Sequence, residues 1–147
     1  MIDRSHIGRE FGVHTAEIEK GRLRFFAKAT GETDPIYFDE DAAKAAGLPT
    51  LPAPPTFLFS MDMEVPDPFE ILSIMDVDLG KILHGSQEFK YFRDVYAGDS
   101  ISFKSKVTDI FEKKGGALEF IVKRTSATNQ DGDLVAEMTR TIVVRNG

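Results

Sequence analysis

The chain contains no cysteine. That excludes a disulfide framework, a thiol nucleophile and any cysteine-based metal site. A basic excess is also missing. The net charge is −6 and the isoelectric point lies near 5.1, which argues against nucleic acid as a partner, because phosphate contacts need a basic footprint. No apolar run approaches the roughly 20 residues of a membrane-spanning helix, so no membrane partner is expected. The N-terminus MIDRSHIGRE carries charges where a secretory leader has an apolar core, and a cytoplasmic location is the expectation. The three histidines, His6, His14 and His84, are isolated and lack the paired spacing of a metal site. No metal and no cofactor is expected.

What is present fits a globular protein. With 147 residues, 41% apolar and 29% charged, residues 1–147 read as a single domain able to bury a sizeable core. Thr15 is placed to cap a helix over 15–29, with Glu17 and Glu19 in its first turn, Ile18, Phe25, Phe26 and Ala29 at helical spacing, and Gly31 as its stop. Asp34-Pro35 follows as an extended step. Asp39 then caps a short Ala-rich helix ended by Gly47. Four prolines in residues 48–55 make a rigid connector. Pro55 opens a helix whose residues 56–63 are apolar on nearly every side, which marks it as buried. Phe69, Ile71, Leu72, Ile74 and Met75 suggest a second short helical piece.

From Ile82 the pattern changes. Residues 82–92, 100–111, 117–128 and 133–145 read as long strands. Ile101, Phe103 and Val107 share one alternation phase, and Leu118, Phe120 and Val122 share another. Turns fall at Gly98-Asp99, Gly115-Gly116 and Asn129–Gly132. A buried helix followed by a long antiparallel meander implies an α+β fold with a curved sheet wrapped around that helix. The open edge of such a sheet implies at least a dimer.

Four segments carry a resemblance: Gly31–Tyr37, Pro54-Pro55-Thr56-Phe57, Leu83–Phe89 and Ala97-Gly98-Asp99-Ser100. Together they resemble the MaoC-like dehydratases of the hot-dog superfamily, closest to the N-terminal-half type, over about residues 5–145. The resemblance implies a curved antiparallel sheet around a central helix, working as a pair of hot-dog units. It also implies reversible hydration of a trans-2-enoyl thioester to an (R)-3-hydroxyacyl thioester. In active members the motif Gly-Asp-x-Asn-Pro-(Leu/Ile/Val)-His supplies an Asp and a His that hold the water, and a helix-start amide polarises the thioester carbonyl.

In this chain Gly31, Pro35 and Ile36 match that motif, Glu32 falls at the Asp position, Asp34 at the Asn position and Tyr37 at the His position. An imidazole near pKa 6.5 exchanges protons at neutral pH, whereas a phenol near 10 is a poor base there. Tyr37 is left with donating a hydrogen bond or lining an acyl pocket. The extra methylene of Glu32 moves its carboxylate by about a bond length, and misplacement of that size costs on the order of 100-fold. The pattern is similar to that of the non-catalytic, substrate-binding subunit of two-subunit (3R)-hydroxyacyl carrier-protein dehydratases, where a partner chain brings the Asp/His pair.

The candidate residues follow. Glu32 and Tyr37 occupy the catalytic positions, and Asp34 beside them is a substrate-binding candidate. Thr56 or Phe57 is the amide donor to the substrate, since Pro55 has no N–H. His84 and Gly85, which head a strand inside a family-like segment, are substrate-binding candidates as well. Each has a plainer reading, as turn, helix-start or strand-end residues. Lys104, Lys106, Lys113, Lys114, Lys123 and Arg124 read as a solvated face, with an acidic carrier protein or CoA phosphates as the functional alternative. Three functions stand open. The first is an acyl-binding subunit, for acyl-CoA or acyl carrier protein thioesters, in a heterodimer with a second hot-dog chain. The second is an autonomous homodimeric hydratase using Glu32 or His84. The third is an acyl-thioester binding module without turnover.

Overall fold

Alternation of apolar and polar residues builds the main body of the molecule, an antiparallel sheet. A computed structural model describes residues 1–146; Gly147, the last residue of the expected domain, lies outside them. Four long strands stand within a few residues of their expected positions: β2 (Ile82–Tyr91), β3 (Ser100–Lys113), β4 (Leu118–Thr128) and β5 (Leu134–Arg145), preceded by a short strand, β1 (His14–Glu17). The order across the sheet is β1-β3-β4-β5-β2, and each neighbouring pair is antiparallel. Ile101, Phe103 and Val107 of β3 point into the core. A bulge between Val107 and Asp109 shifts the phase so that Ile110 points inward as well. On β4 the inward phase is Glu119, Ile121, Thr125 and Ala127. Leu118, Phe120 and Val122 face the other side, where Phe120 stacks on Phe111 at 4.7 Å.

β1 corrects one expectation. Thr15 caps no helix; it stands opposite Ser102 of β3, and the two hydroxyls hydrogen-bond at 2.7 Å. The helix begins later, as α1 (Lys20–Ala29), with Glu19 before it and no side-chain cap. Pairing with β3 overrides the local helical spacing here, and the Ile18 amide, bonded to the Asp99 carbonyl, ends the strand. The far end of α1 is as expected. Gly31, at φ 77°, lets its own N–H reach the Lys28 carbonyl and the Glu32 N–H reach that of Ala27, which satisfies carbonyls that the helix end leaves free.

Two short helices carry the next stretch. In α2 (Glu40–Ala45) the Asp39 carboxylate accepts from the Asp41 N–H at 2.8 Å, as its capping role requires. α3 (Phe57–Asp62) is the central helix, with Phe57, Leu58, Met61 and Asp62 buried. It starts two residues later than Pro55. Phe57 N–H bonds to the Pro54 carbonyl, and Thr56 has φ 72° and ψ −8°, the geometry of a type II turn with proline at its second position. α4 (Glu70–Ile74) is the expected second helical piece.

The core divides into two parts. One gathers Ile18, Leu23, Phe57, Met61, Phe103 and Met138 under α1 and α3. The other gathers Ile71, Leu72, Val107, Ile110, Ile121 and Ile142 under α4. The sheet thus packs its inner face on the central helix, and the expected α+β layout holds. β2 forms one edge of the sheet and offers ten residues along it. No helix among the described residues is long and apolar enough to cross a membrane.

Candidate functional site

The loop after α1 places the motif residues. Asp34 caps a single turn of 3-10 helix over Pro35–Tyr37, its carboxylate accepting from the Ile36 N–H at 3.1 Å. Glu32 folds back on the same loop, accepting from the amides of Thr33 (3.0 Å) and Asp34 (3.3 Å). Both carboxylates therefore hold the loop in shape.

The loop delivers Tyr37 to a cleft of about 340 Å³, lined also by Leu48, Pro54, Pro55, Leu58, Tyr91 and Asp94. Burial pushes the Tyr37 phenol above its ordinary value of 10, and the negative charges of Glu32, Asp34 and Asp94 push it further in the same direction. At neutral pH the phenol keeps its proton, so it is a hydrogen-bond donor and not a base.

The two amides at the start of α3 are engaged inside the chain. Thr56 N–H donates to the Tyr91 hydroxyl at 2.9 Å, and Phe57 N–H to the Pro54 carbonyl at 3.1 Å. The Phe57 side chain is core, edge-on to Phe26. His84 and Gly85 do not line the cleft. They sit on the exposed edge strand β2, where the His84 ring meets Phe59 edge-on at 5.4 Å. Gly85 lies at the break in register between His84 and Ser86, and a Cβ there would stand 2.6 Å from Val143 Cγ2. The absence of a side chain there permits the close approach of β2 to β5.

Of the candidate residues, the structure brings Tyr37 into the cleft, with Glu32 and Asp34 close enough for their charge to act on it. It keeps His84, Gly85 and the Phe57 side chain elsewhere. Tyr91, Arg93 and Asp94 are the polar cleft residues that sequence reasoning missed. The only signal for Tyr91 is its place two residues after Phe89, on which it stacks at 5.8 Å.

The dehydratase frame of the loop and the order of the sheet agree with a sequence match. The family described as the FAS1-like dehydratase domain region matches residues 5–138. The chain belongs to this MaoC-like hot-dog family. Among curated relatives of this hot-dog protein, the UPF0336 protein of Saccharopolyspora erythraea is 34% identical over 145 residues, spanning 98% of the chain and 92% of the relative. The UPF0336 protein of Streptomyces griseus is 32% identical, with 98% and 95% covered. Of solved structures, a chain of the HadBC (3R-hydroxyacyl-ACP dehydratase) complex from Mycobacterium tuberculosis superposes with a TM-score of 0.79 at 27% identity, covering 94% of the chain and 96% of that one. The ChsH1-ChsH2 complex from the same organism gives 0.76 at 25% identity, with 92% and 88% covered.

Proposed function

We propose that this hot-dog chain is the acyl-binding subunit of an (R)-specific enoyl-thioester hydratase or 3-hydroxyacyl-thioester dehydratase, and that a partner hot-dog chain supplies the proton-transfer pair. One observation carries this reading. The family's histidine position holds Tyr37, a phenol kept protonated by burial and by three carboxylates. Dehydration of a 3-hydroxyacyl thioester needs a base for the Cα proton and an acid for the departing hydroxyl. Tyr37 offers only a donor, and Glu32 turns its Oε1 onto two loop amides. What the chain contributes is a wall: Leu48, Pro54, Pro55 and Leu58 present apolar surface, and the Tyr37 hydroxyl is placed to orient a polar group beside it.

Two further points support the reading. The solved relatives above 25% identity or at it include two complexes, HadBC and ChsH1-ChsH2. The long edge of β2 suits pairing with a second sheet, since its ten residues leave a row of backbone donors and acceptors on the side away from β5. The substrate is an acyl-CoA or acyl carrier protein thioester, and the whole chain acts as one domain in the cytoplasm.

Co-expression tests this. A hot-dog chain bearing Asp-x-Asn-Pro-x-His should co-purify with this one and hydrate crotonyl-CoA at least 100-fold faster in the complex than this chain alone. A stable homodimer of this chain that ignores every such partner overturns the reading.

A further inference from the structure

The inner face of the sheet carries a polar row between its two apolar clusters. Lys123, Arg140 and Gln87 stand directly opposite one another across β4, β5 and β2, and Ser105 and Thr125 form the next pair, bonded at 2.8 Å. The six-residue α3 stops above this row, at Asp62. Like charges facing each other across a ladder repel, and burying two cations is costly unless anions answer them. One does: Asp62 Oδ2 lies 3.3 Å from Lys123 Nζ.

Arg140 is left with poor partners. It is 8% exposed, its Nη1 meets the thioether sulfur of Met63 at 3.0 Å, and its Nε has no acceptor among the described residues. A thioether is a weak acceptor, and a guanidinium cannot shed its charge to adapt. Asp62 acts on this permanently charged fork through its charge, but no oxygen among the described residues hydrogen-bonds it. Arg140 lines a cavity of about 360 Å³ bounded by the segment Phe11–His14 and by residues 65–71. Val13, at the open side, is 61% exposed.

We propose that this cavity is a binding site for an aliphatic carboxylate, its two oxygens on the Arg140 guanidinium and its chain among Phe11, Val13, Val65, Pro66 and Ile71. Asp67 and Glu70 on the cavity wall repel any anion, and a phosphate dianion about twice as strongly as a carboxylate. Planar, bidentate recognition by arginine suits a carboxylate. The cavity shares no lining residue with the Tyr37 cleft, so the site stands whether or not the thioester reading does. The carboxylate is either a free acid or the far end of an acyl thioester.

The test is titration of the labelled full-length protein with octanoate, followed by amide chemical shifts, with octanol and octyl phosphate beside it. Saturable shifts gathered at Phe11–His14 and at residues 65–71, absent with octanol, are expected. Arg140→Gln should weaken octanoate at least tenfold. Val13→Trp, on the exposed rim, should block the cavity while the spectrum stays folded, so the site is tested even if the arginine variant misfolds. A ω-carboxyoctanoyl-CoA arm, compared with octanoyl-CoA, assigns the source: tighter binding than octanoate marks the end of a thioester, and weaker binding a free acid. Octyl phosphate binding more tightly than octanoate, shifts centred on Tyr37 and Tyr91, or wild-type affinity in both variants would overturn the proposal.

Discussion

The backbone amide of Thr56 donates to the phenolic hydroxyl of Tyr91 at 2.9 Å. This bond joins the start of the central helix to the end of β2, across the cleft that holds Tyr37. Thr56 itself stands in a left-handed conformation, at φ 72°. A residue with a Cβ occupies that region at a cost of about 1–2 kcal/mol.

Thr56→Gly therefore removes strain while keeping the amide donor. Glycine costs about 0.5–1 kcal/mol in the unfolded chain, so a net gain of up to about 1 kcal/mol is expected, read as a higher urea midpoint at unchanged slope. Tyr91→Phe should lose about 0.5–1 kcal/mol, the worth of one hydrogen bond near the surface. A lower midpoint for Thr56→Gly contradicts the strained-turn account.

Lys123 gives a pH signature. Burial lowers its pKa from the ordinary 10.5, outweighing the attraction of Asp62, and the nearby Arg140 lowers it further. In the window between the lowered folded value and 10.5 the unfolded chain binds a proton that the folded chain does not. Stability attributable to this group therefore rises with pH through that window and is lowest below it. Lys123→Met should abolish the rise, so wild type gains on the variant as pH climbs toward 10. Tyr37 acts with the opposite sign but above its ordinary value of 10: there the folded state keeps a proton that the unfolded state loses, and stability falls. Urea midpoints of both proteins at stepped pH check the pair of signs. A difference that stays flat contradicts the buried placement of Lys123.

Lys123 also shows what the sequence leaves illegible. Its charge groups it with Lys104, Lys106 and Arg124 as a solvated face, yet it shares the inward phase of Ile121 and Thr125 and its side chain is only 13% exposed. Alternation alone places it inside; its charge argues otherwise, and the resolving partner, Asp62, lies 61 residues away in an apolar run. The strands and turns were readable because their patterns are local. β1 was not, because Thr15 and Ile18 are held by β3 and Asp99, far along the chain. In the site, motif spacing located Glu32, Asp34 and Tyr37. Tyr91 and Asp94 reach the cleft only through the way β2 runs along β5, which no spacing records.

Gly85 tests the edge strand. An added Cβ meets Val143 Cγ2 at 2.6 Å and the Thr141 carbonyl at 3.1 Å. Gly85→Ala should lose about 1–3 kcal/mol by overpacking, and the shift of β2 should weaken any pairing along its free edge. Denaturation and size-exclusion profiles of the variant check both. A variant as stable as wild type contradicts the close approach of β2 to β5.

The central claim is that this chain shapes a thioester cleft without carrying its proton-transfer pair. Hydration of crotonyl-CoA by the pure protein tests it most directly, with Tyr37→Phe and Glu32→Gln beside the wild type. Rates near background are expected for all three. Robust turnover by the wild type, lost in either variant, would contradict it.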